Sequence, residues 1–507
     1  MTKKLLALAL CLLLALAQVH AQPSPQSFSS FQAWRDTLLQ LALQSTDAAG
    51  RAKLDAFWSA MRQARRIPFA IGDSVGFLYR GNASSVRWNG DFNSWGNASQ
   101  IRNSGSLLPN SDIWLLEHAL PSDARIDYKI VLNGSTWILD PNNPLTQMSG
   151  FGPNSELRMP NYRPSPDVVL RTAQRGSLSE NQRIQSARLG YAVQYRVYTP
   201  FAYNAASAQP MPTIYVTDGH EYANDAMGSM VIVLDNLIAE QRIQPVIAVF
   251  IDPRNPDNLS QNRRAVELVT NANYLRFVTE ELVPRIDSLY RTVRCAEQRA
   301  ILGTSLGGLN AAYFGLNASQ TFGLIAMQSP ALWAAPSVAA EYQQRARLPL
   351  KFFLSTGTLF DGENNTRAFR RTLEEKGYPV RYREVNEGHS WGNWRALLSE
   401  MLTYFFAATS SVRESDGALP KEFRLEQNYP NPFNPTTTIT YTLPKRSKVS
   451  LKVFDVLGRE VATLVNQVQE VGAYRAYFSA HGLTSGVYFY QLRADEFSQT
   501  RKMTLLK

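Results

Sequence analysis

Residues 299–314 read RAILGTSLGGLNAAYF. The run Arg299–Leu302 is short and apolar at its centre and reads as a buried strand. The stretch from Leu306 is rich in Leu, Ala and Gly and reads as a helix. Between them lies Gly303-Thr304-Ser305-Leu306-Gly307, a G-x-S-x-G. A strand that passes straight into a helix holds the residue at the corner in a strained backbone conformation. A Cβ on either side would collide with its neighbours, so the glycines are needed where they stand. The pattern predicts Ser305 as an exposed nucleophile; the plainer reading is a tight turn with a surface serine.

Working outward, Ala192–Phe406 alternates strand and helix patterns. The strand candidates are PTIYVTDG (212–219), PVIAVFID (245–252), RAILGTS, FGLIAMQSP (322–330), PLKFFLSTG (349–357) and VRYREVNEGH (380–389). Helical stretches are expected over Tyr222–Gln241, Ala272–Arg291, Leu306–Leu316 and Asn364–Gly377. Near-continuous apolar strands separated by helices indicate a parallel sheet covered on both faces. A serine needs a base to remove its proton, and the α/β-hydrolase order is serine, acid, histidine. His389 is the one histidine between Ser305 and the end of this region. The acid is expected after KFFLSTG, where Asp361 and Glu363 both lie; Asp361 is nearer the strand end. Two backbone N–H donors must face the developing oxyanion. One is expected from Leu306 and one from His220, in the Thr217-Asp218-Gly219-His220 turn. His220 precedes the serine, the wrong order for the base.

The chain has 507 residues, 44% of them hydrophobic and 19% charged, which calls for two to four folded units. Its net charge of +10 invites a polyanion partner until it is located. Lys3 and Lys4 belong to an export segment. From Lys421 onward there are 12 basic and 7 acidic residues, which leaves 38 basic against 35 acidic for the rest. A nearly neutral body without a Lys/Arg stripe argues against nucleic acid. Met1–Ala21 (MTKKLLALALCLLLALAQVHA) has the lysines, the apolar run and the small residues of a secretory signal. Of the two cysteines, Cys11 lies in that signal and Cys295 is left alone, so no intramolecular disulfide is expected. Five scattered histidines give no zinc spacing, and no metal or cofactor is expected.

From Tyr195 to Phe406 the chain resembles the esterase family that includes enterochelin esterases, esterase-D type hydrolases, mycolyltransferases, and feruloyl and acetyl-xylan esterases. The likeness rests on TIYVTDGHEY, NRRAVEL, FVTEELVPRIDSLY, RAILGTSLGGLNAAYFGL, SPALW, STGTLFDGENNTRAF and NEGHSWGNW, in the family's order and spacing. The resemblance implies Ser305, Asp361 and His389 as a triad, with the Leu306 and His220 amides as oxyanion hole. It also implies Arg263, Arg264, Glu267 and Trp333 along the substrate side, though a surface ion pair and a packing tryptophan would read the same.

Residues 27–65 carry a helical apolar period (Phe28, Phe31, Trp34, Leu38, then Leu54, Phe57, Met61). From Ile67 to Tyr162 short alternating runs broken by turn residues read as a β-sandwich. VRWNGDFNSWG and YKIVLNGSTWILDPNNP make that part similar to the immunoglobulin-like domain that precedes the catalytic domain in enterochelin esterases, and to starch-binding-type modules. Trp88, Trp95 and Trp137 then either stack on sugar rings or fill the sandwich core. The C-terminal NYPNPFNPTT, VFDVLGREV and SGVYFY resemble the sorting domain of type IX secretion, which implies a second export step through the outer-membrane secretion machinery.

The expected organisation is multidomain: signal 1–21, helical segment 22–65, sandwich 66–165, α/β-hydrolase 166–408, linker 409–421 and sorting domain 422–507. The two flanking all-β units are expected to be immunoglobulin-like. The expected activity is that of a secreted serine esterase acting on acylated glycans or siderophore-type lactones, with a polysaccharide contact through the β-module. The rival is a non-catalytic surface carbohydrate-binding protein on an esterase scaffold.

Overall fold

The computed structural model describes residues 28–206, 209–408, 420, 422–434, 436–480 and 483–506. The signal segment and the linker 409–419 lie outside the described residues.

The central unit is built on a nine-stranded sheet. Its principal strands are β1 (Ala192–Thr199), β2 (Thr213–Val216), β3 (Ile247–Asp252), β4 (Arg299–Thr304), β5 (Leu324–Gln328), β6 (Lys351–Gly357) and β7 (Val380–Val385). They lie in the order β1-β3-β2-β4-β5-β6-β7, with short strands at 177–178 and 182–185 on the β1 edge. β1 runs antiparallel to β3, and every pairing from β3 to β7 is parallel. The central strands β2 to β6 are buried on both sides because both faces are covered. Tyr215, Ile301, Phe352 and Leu354 enter one core, whereas Val216, Leu302, Ala326 and Phe353 enter the other. Each of the larger aliphatic and phenylalanine side chains withdraws enough apolar area to contribute roughly 1.5–3 kcal/mol. The helix expected over Tyr222–Gln241 is interrupted: short helical turns at Gly219–Tyr222 and a helix at Met230–Ala239 flank an irregular segment. Ser229 there has a left-handed φ of 53°, and a Cβ on Gly228 would lie 2.4 Å from the Tyr222 Cα. Hydrophobic period alone does not register that break.

Residues 67–162 form two facing sheets, one of Phe69–Ile71, Ser74–Arg80, Ile113–Ala119 and Ser106–Leu107, the other centred on Val86–Gly90, Arg125–Leu132 and Gly152–Arg158. Phe77 and Leu116 from the first meet Trp88, Ile126 and Tyr128 from the second in a shared core. The helices Phe31–Leu43 and Ala48–Gln63, capped by Ser30 and Asp47, cover the outer face of the first sheet. Trp34 stacks on Phe69 with ring centroids 4.4 Å apart. The N-terminal helices thus share a core with the sandwich instead of forming a segment of their own. Trp88 is fully buried, which removes it from the sugar-facing candidates; Trp95 is half-buried and donates to Asp91 (3.2 Å), while Trp137 is exposed.

The C-terminal unit also consists of two sheets, a three-stranded and a four-stranded one, closed over a core that includes Ile439, Val449, Tyr490 and Met503.

Candidate active site

β2, β4, β5, β6 and β7 all deliver polar residues at their carboxyl ends, where ligands bind on open α/β sheets. β4 ends at Thr304, and Ser305 has φ 56° and ψ −118°, outside the ordinary regions for a residue with a side chain. The turn is over-determined. Ser305 donates its N–H to the Gln328 carbonyl (3.0 Å) and its carbonyl accepts from Ala331 (2.9 Å) and Leu309 (3.1 Å). A Cβ on Gly303 would lie 2.3 Å from the Gly307 backbone and one on Gly307 would lie 2.4 Å from the Thr217 hydroxyl. The helix Leu306–Asn317 starts immediately, and its first N–H groups have no carbonyl one turn earlier to bond.

His389 follows β7. Its Nδ1 lies 2.6 Å from Asp361 Oδ1. The other oxygen of Asp361 accepts from the Gly357 amide (2.5 Å) and from the Ser329 hydroxyl. Glu363 is used differently: it accepts from the Asp361 amide (3.1 Å) at the start of the helix Glu363–Glu375. Of the two acids, Asp361 is the one in contact with the imidazole. Trp394 packs edge-on against the His389 ring (4.9 Å) and donates to Ser329 (2.9 Å). Gln328 donates to the Trp394 carbonyl and accepts from Tyr222 (both 2.7 Å). A buried chain of hydrogen bonds therefore connects the turn after β2, the serine corner and the histidine loop.

The turn after β2 has Asp218 at φ 52°, and Gly219 lies so close to Phe250 that a Cβ would come within 2.4 Å of its backbone. The His220 ring is mostly buried with Nδ1 3.4 Å from Asp252. Burial holds its pKa below the ordinary value despite that neighbour. Burial, reinforced by the Asp218 charge, raises Glu221 to about 7; Trp391 donates to its Oε2 (3.2 Å).

Residues 186–405 match the family described as "Putative esterase", and residues 427–505 match the "Secretion system C-terminal sorting domain". Residues 186–405 are an esterase-family domain. The chain is 29% identical over 203 residues to the iron(III) enterobactin esterase of Escherichia coli O6:H1, covering 39% of this chain and 46% of that protein. It is 27% identical over 248 residues to the iron(III) salmochelin esterase of the same strain, covering 46% and 58%. The chain thus spans about half the length of these curated relatives. Over 133 residues it is 26% identical to an endo-1,4-beta-xylanase/feruloyl esterase of Xylanibacter ruminicola, covering 25% of this chain and 18% of that one. Among solved structures, the enterobactin esterase of Shigella flexneri superposes with a TM-score of 0.56 at 22% identity, covering 66% of this chain and 92% of that one, a likeness of fold.

Within the esterase domain the four residues expected along the substrate side separate. Trp333, just beyond the Ala331 amide that bonds Ser305, is 69% exposed. Arg264 ties the segments after β2 and β4 together: its Nε donates to both oxygens of Asp218 (2.8 and 2.9 Å) and its Nη2 to the Thr304 carbonyl (3.2 Å). Arg263 stacks over Tyr191 (4.0 Å) and donates to the Ala192 carbonyl. Glu267 is only 1% exposed and accepts from the Tyr191 hydroxyl (2.9 Å) in the protein interior. Burial drives its pKa up to about 7.

The sequence gives no sign of Ser329 and Gln328, of Asn393, which donates to the Gly388 carbonyl (3.0 Å), or of Arg125, which donates to the Ser390 hydroxyl (3.0 Å). SPALW placed Ser329 beside Trp333, but nothing in a serine at a strand end distinguishes a carboxylate donor from a solvated hydroxyl.

Proposed function

We propose that this chain is an exported serine esterase that works through an acyl-enzyme. Ser305 attacks the ester carbonyl as His389 accepts its proton through Nε2, and Asp361 holds the imidazole by Nδ1 and stabilises its cation. The Leu306 and His220 amides donate to the oxyanion. His389 then protonates the leaving alcohol, and a water deprotonated by His389 releases the acid and frees Ser305. The reaction so written needs no cofactor. The observation that carries the reading is the 2.6 Å contact between His389 and Asp361, which follow carboxyl ends of the same sheet whose β4 leads into the strained Ser305.

The substrates are esters of acylated glycans or siderophore-type lactones. The names of the relatives, enterobactin, salmochelin and feruloyl esterases, support both classes. The sorting domain at 427–505 supports work outside the cell or at its surface, with the outer-membrane secretion machinery as partner. Hydrolysis of p-nitrophenyl acetate, a feruloylated sugar and a catecholate trilactone by wild type and Ser305→Ala tests the proposal. Turnover of at least one that disappears in Ser305→Ala is expected; equal turnover by both proteins would refute it.

A further inference from the structure

The segment bearing His389 is held from outside the esterase domain. Asn386 accepts at its carbonyl from the Arg125 amide of the sandwich (3.1 Å), and its side chain donates to Asp123 (2.7 Å). The Arg125 guanidinium donates to the Ser390 hydroxyl (3.0 Å) and to Asp127 (2.6 Å), with Glu156 at 3.3 Å and Glu387 at 3.7 Å. Arg125 and Asp127 are each 1% exposed. Leu359, two residues before Asp361, packs on the sandwich core.

The glycines beside His389 make the same point. Neither Gly388 nor Gly392 has a positive φ, so no turn requires them. Contact does: a Cβ on Gly388 would lie 2.2 Å from the Asp91 carboxyl, and one on Gly392 would lie 2.0 Å from the Arg125 guanidinium carbon. Two sandwich side chains thus rest directly on the backbone at the positions before and three after His389.

A buried ionic cluster adds little to stability, because desolvation offsets most of its attraction, but it fixes geometry. Burial pulls the Arg125 pKa down and its three carboxylate neighbours more than offset that, so the cation persists. Burial also raises Glu387 to about 7.

We propose that Arg125 is a positioning residue for His389, so that the sandwich is a working part of the active site and not a detachable binding module. The inference rests on the reading of His389 as the base. A loop shifted by about 1 Å costs on the order of 100-fold in rate when a reacting geometry depends on it.

The test measures kcat and KM on p-nitrophenyl acetate for the full chain and for Arg125→Ala, Ser390→Ala and His389→Ala, with thermal unfolding of each. His389→Ala tests the underlying reading: if it keeps its activity, that reading fails. With His389→Ala inactive, a folded Arg125→Ala is expected to lose about 100-fold in kcat with KM within threefold, and to regain at least tenfold on adding tens of millimolar guanidinium. A kcat within twofold of wild type, a loss confined to KM, or a loss that guanidinium leaves untouched overturns the inference. Ser390→Ala removes one acceptor and leaves the ionic cluster whole. If Arg125→Ala does not fold, Ser390→Ala decides: a kcat loss of about fivefold or more at constant KM supports the inference, and an unchanged kcat overturns it.

Discussion

Asp361 meets His389 with one oxygen at 2.6 Å, while its other oxygen is occupied by the Gly357 amide and the Ser329 hydroxyl. The carboxylate is thus aimed from behind, and an isosteric amide cannot reproduce the pattern: Asn would present an N–H either to the imidazole or to those donors. Asp361→Asn is expected to lower kcat by about 10³-fold or more, whereas Glu363→Gln, at a side chain that accepts from the Asp361 amide, stays within about fivefold. Steady-state kinetics of the two variants side by side distinguish the acids.

Arg264 connects Asp218, at the head of the turn carrying His220, with the carbonyl of Thr304, next to Ser305. Removing it leaves a buried carboxylate without its cation. Arg264→Ala is expected to lower stability by about 1–3 kcal/mol, measured by urea unfolding, and to reduce kcat by about tenfold or more. Arg264→Lys recovers the charge but not the fork, and so recovers only part of either loss.

Gly307 sits 2.4 Å, in Cβ terms, from the Thr217 hydroxyl. Gly307→Ala must push the serine corner away from the turn after β2, at a cost of about 1–3 kcal/mol. The paired change Gly307→Ala with Thr217→Ala clears the collision and is expected to recover much of the stability, read as the thermal midpoint.

Glu267 has a folded-state pKa of about 7 against an ordinary 4.5, raised by burial first and then by the Asp218 and Asp252 charges against the pull of Tyr191 and Arg263. The folded state holds its proton more tightly than the unfolded chain. Its contribution is therefore whole below pH 4.5 and is lost as pH rises through 7. Glu267→Gln, which never ionises, is expected to gain on wild type by about 2–3 kcal/mol between pH 4.5 and pH 8. Urea unfolding at the two pH values reads the difference.

The strand ends were legible because local chemistry writes them. Apolar runs such as IAVFID and LIAMQ mark buried parallel strands, and glycines on both sides of Ser305 mark a corner with no room for side chains. Chain order carried attention to His389 and to the acids after β6. Asp361 and Glu363 follow the same strand with the same chemistry, and only the folded turn aims one of them at the ring. The Arg125 contact was not legible at all. It joins residues 265 positions apart, and a strand reading RIDYKIVL shows no sign that its first residue is buried against another domain. The burial of Glu267 is hidden for a related reason: a charged residue in NRRAVEL reads as surface until Tyr191 is seen against it.

The central claim is that Ser305 is the acyl-carrying nucleophile. Its most direct measurement is intact-protein and peptide mass spectrometry after reaction with a fluorophosphonate ester. Phosphonylation of the peptide containing Ser305 is expected at one group per chain, concurrent with loss of p-nitrophenyl acetate hydrolysis, and absent in Ser305→Ala. Loss of hydrolysis with the label on another residue, or full hydrolysis by a chain phosphonylated at Ser305, would contradict it.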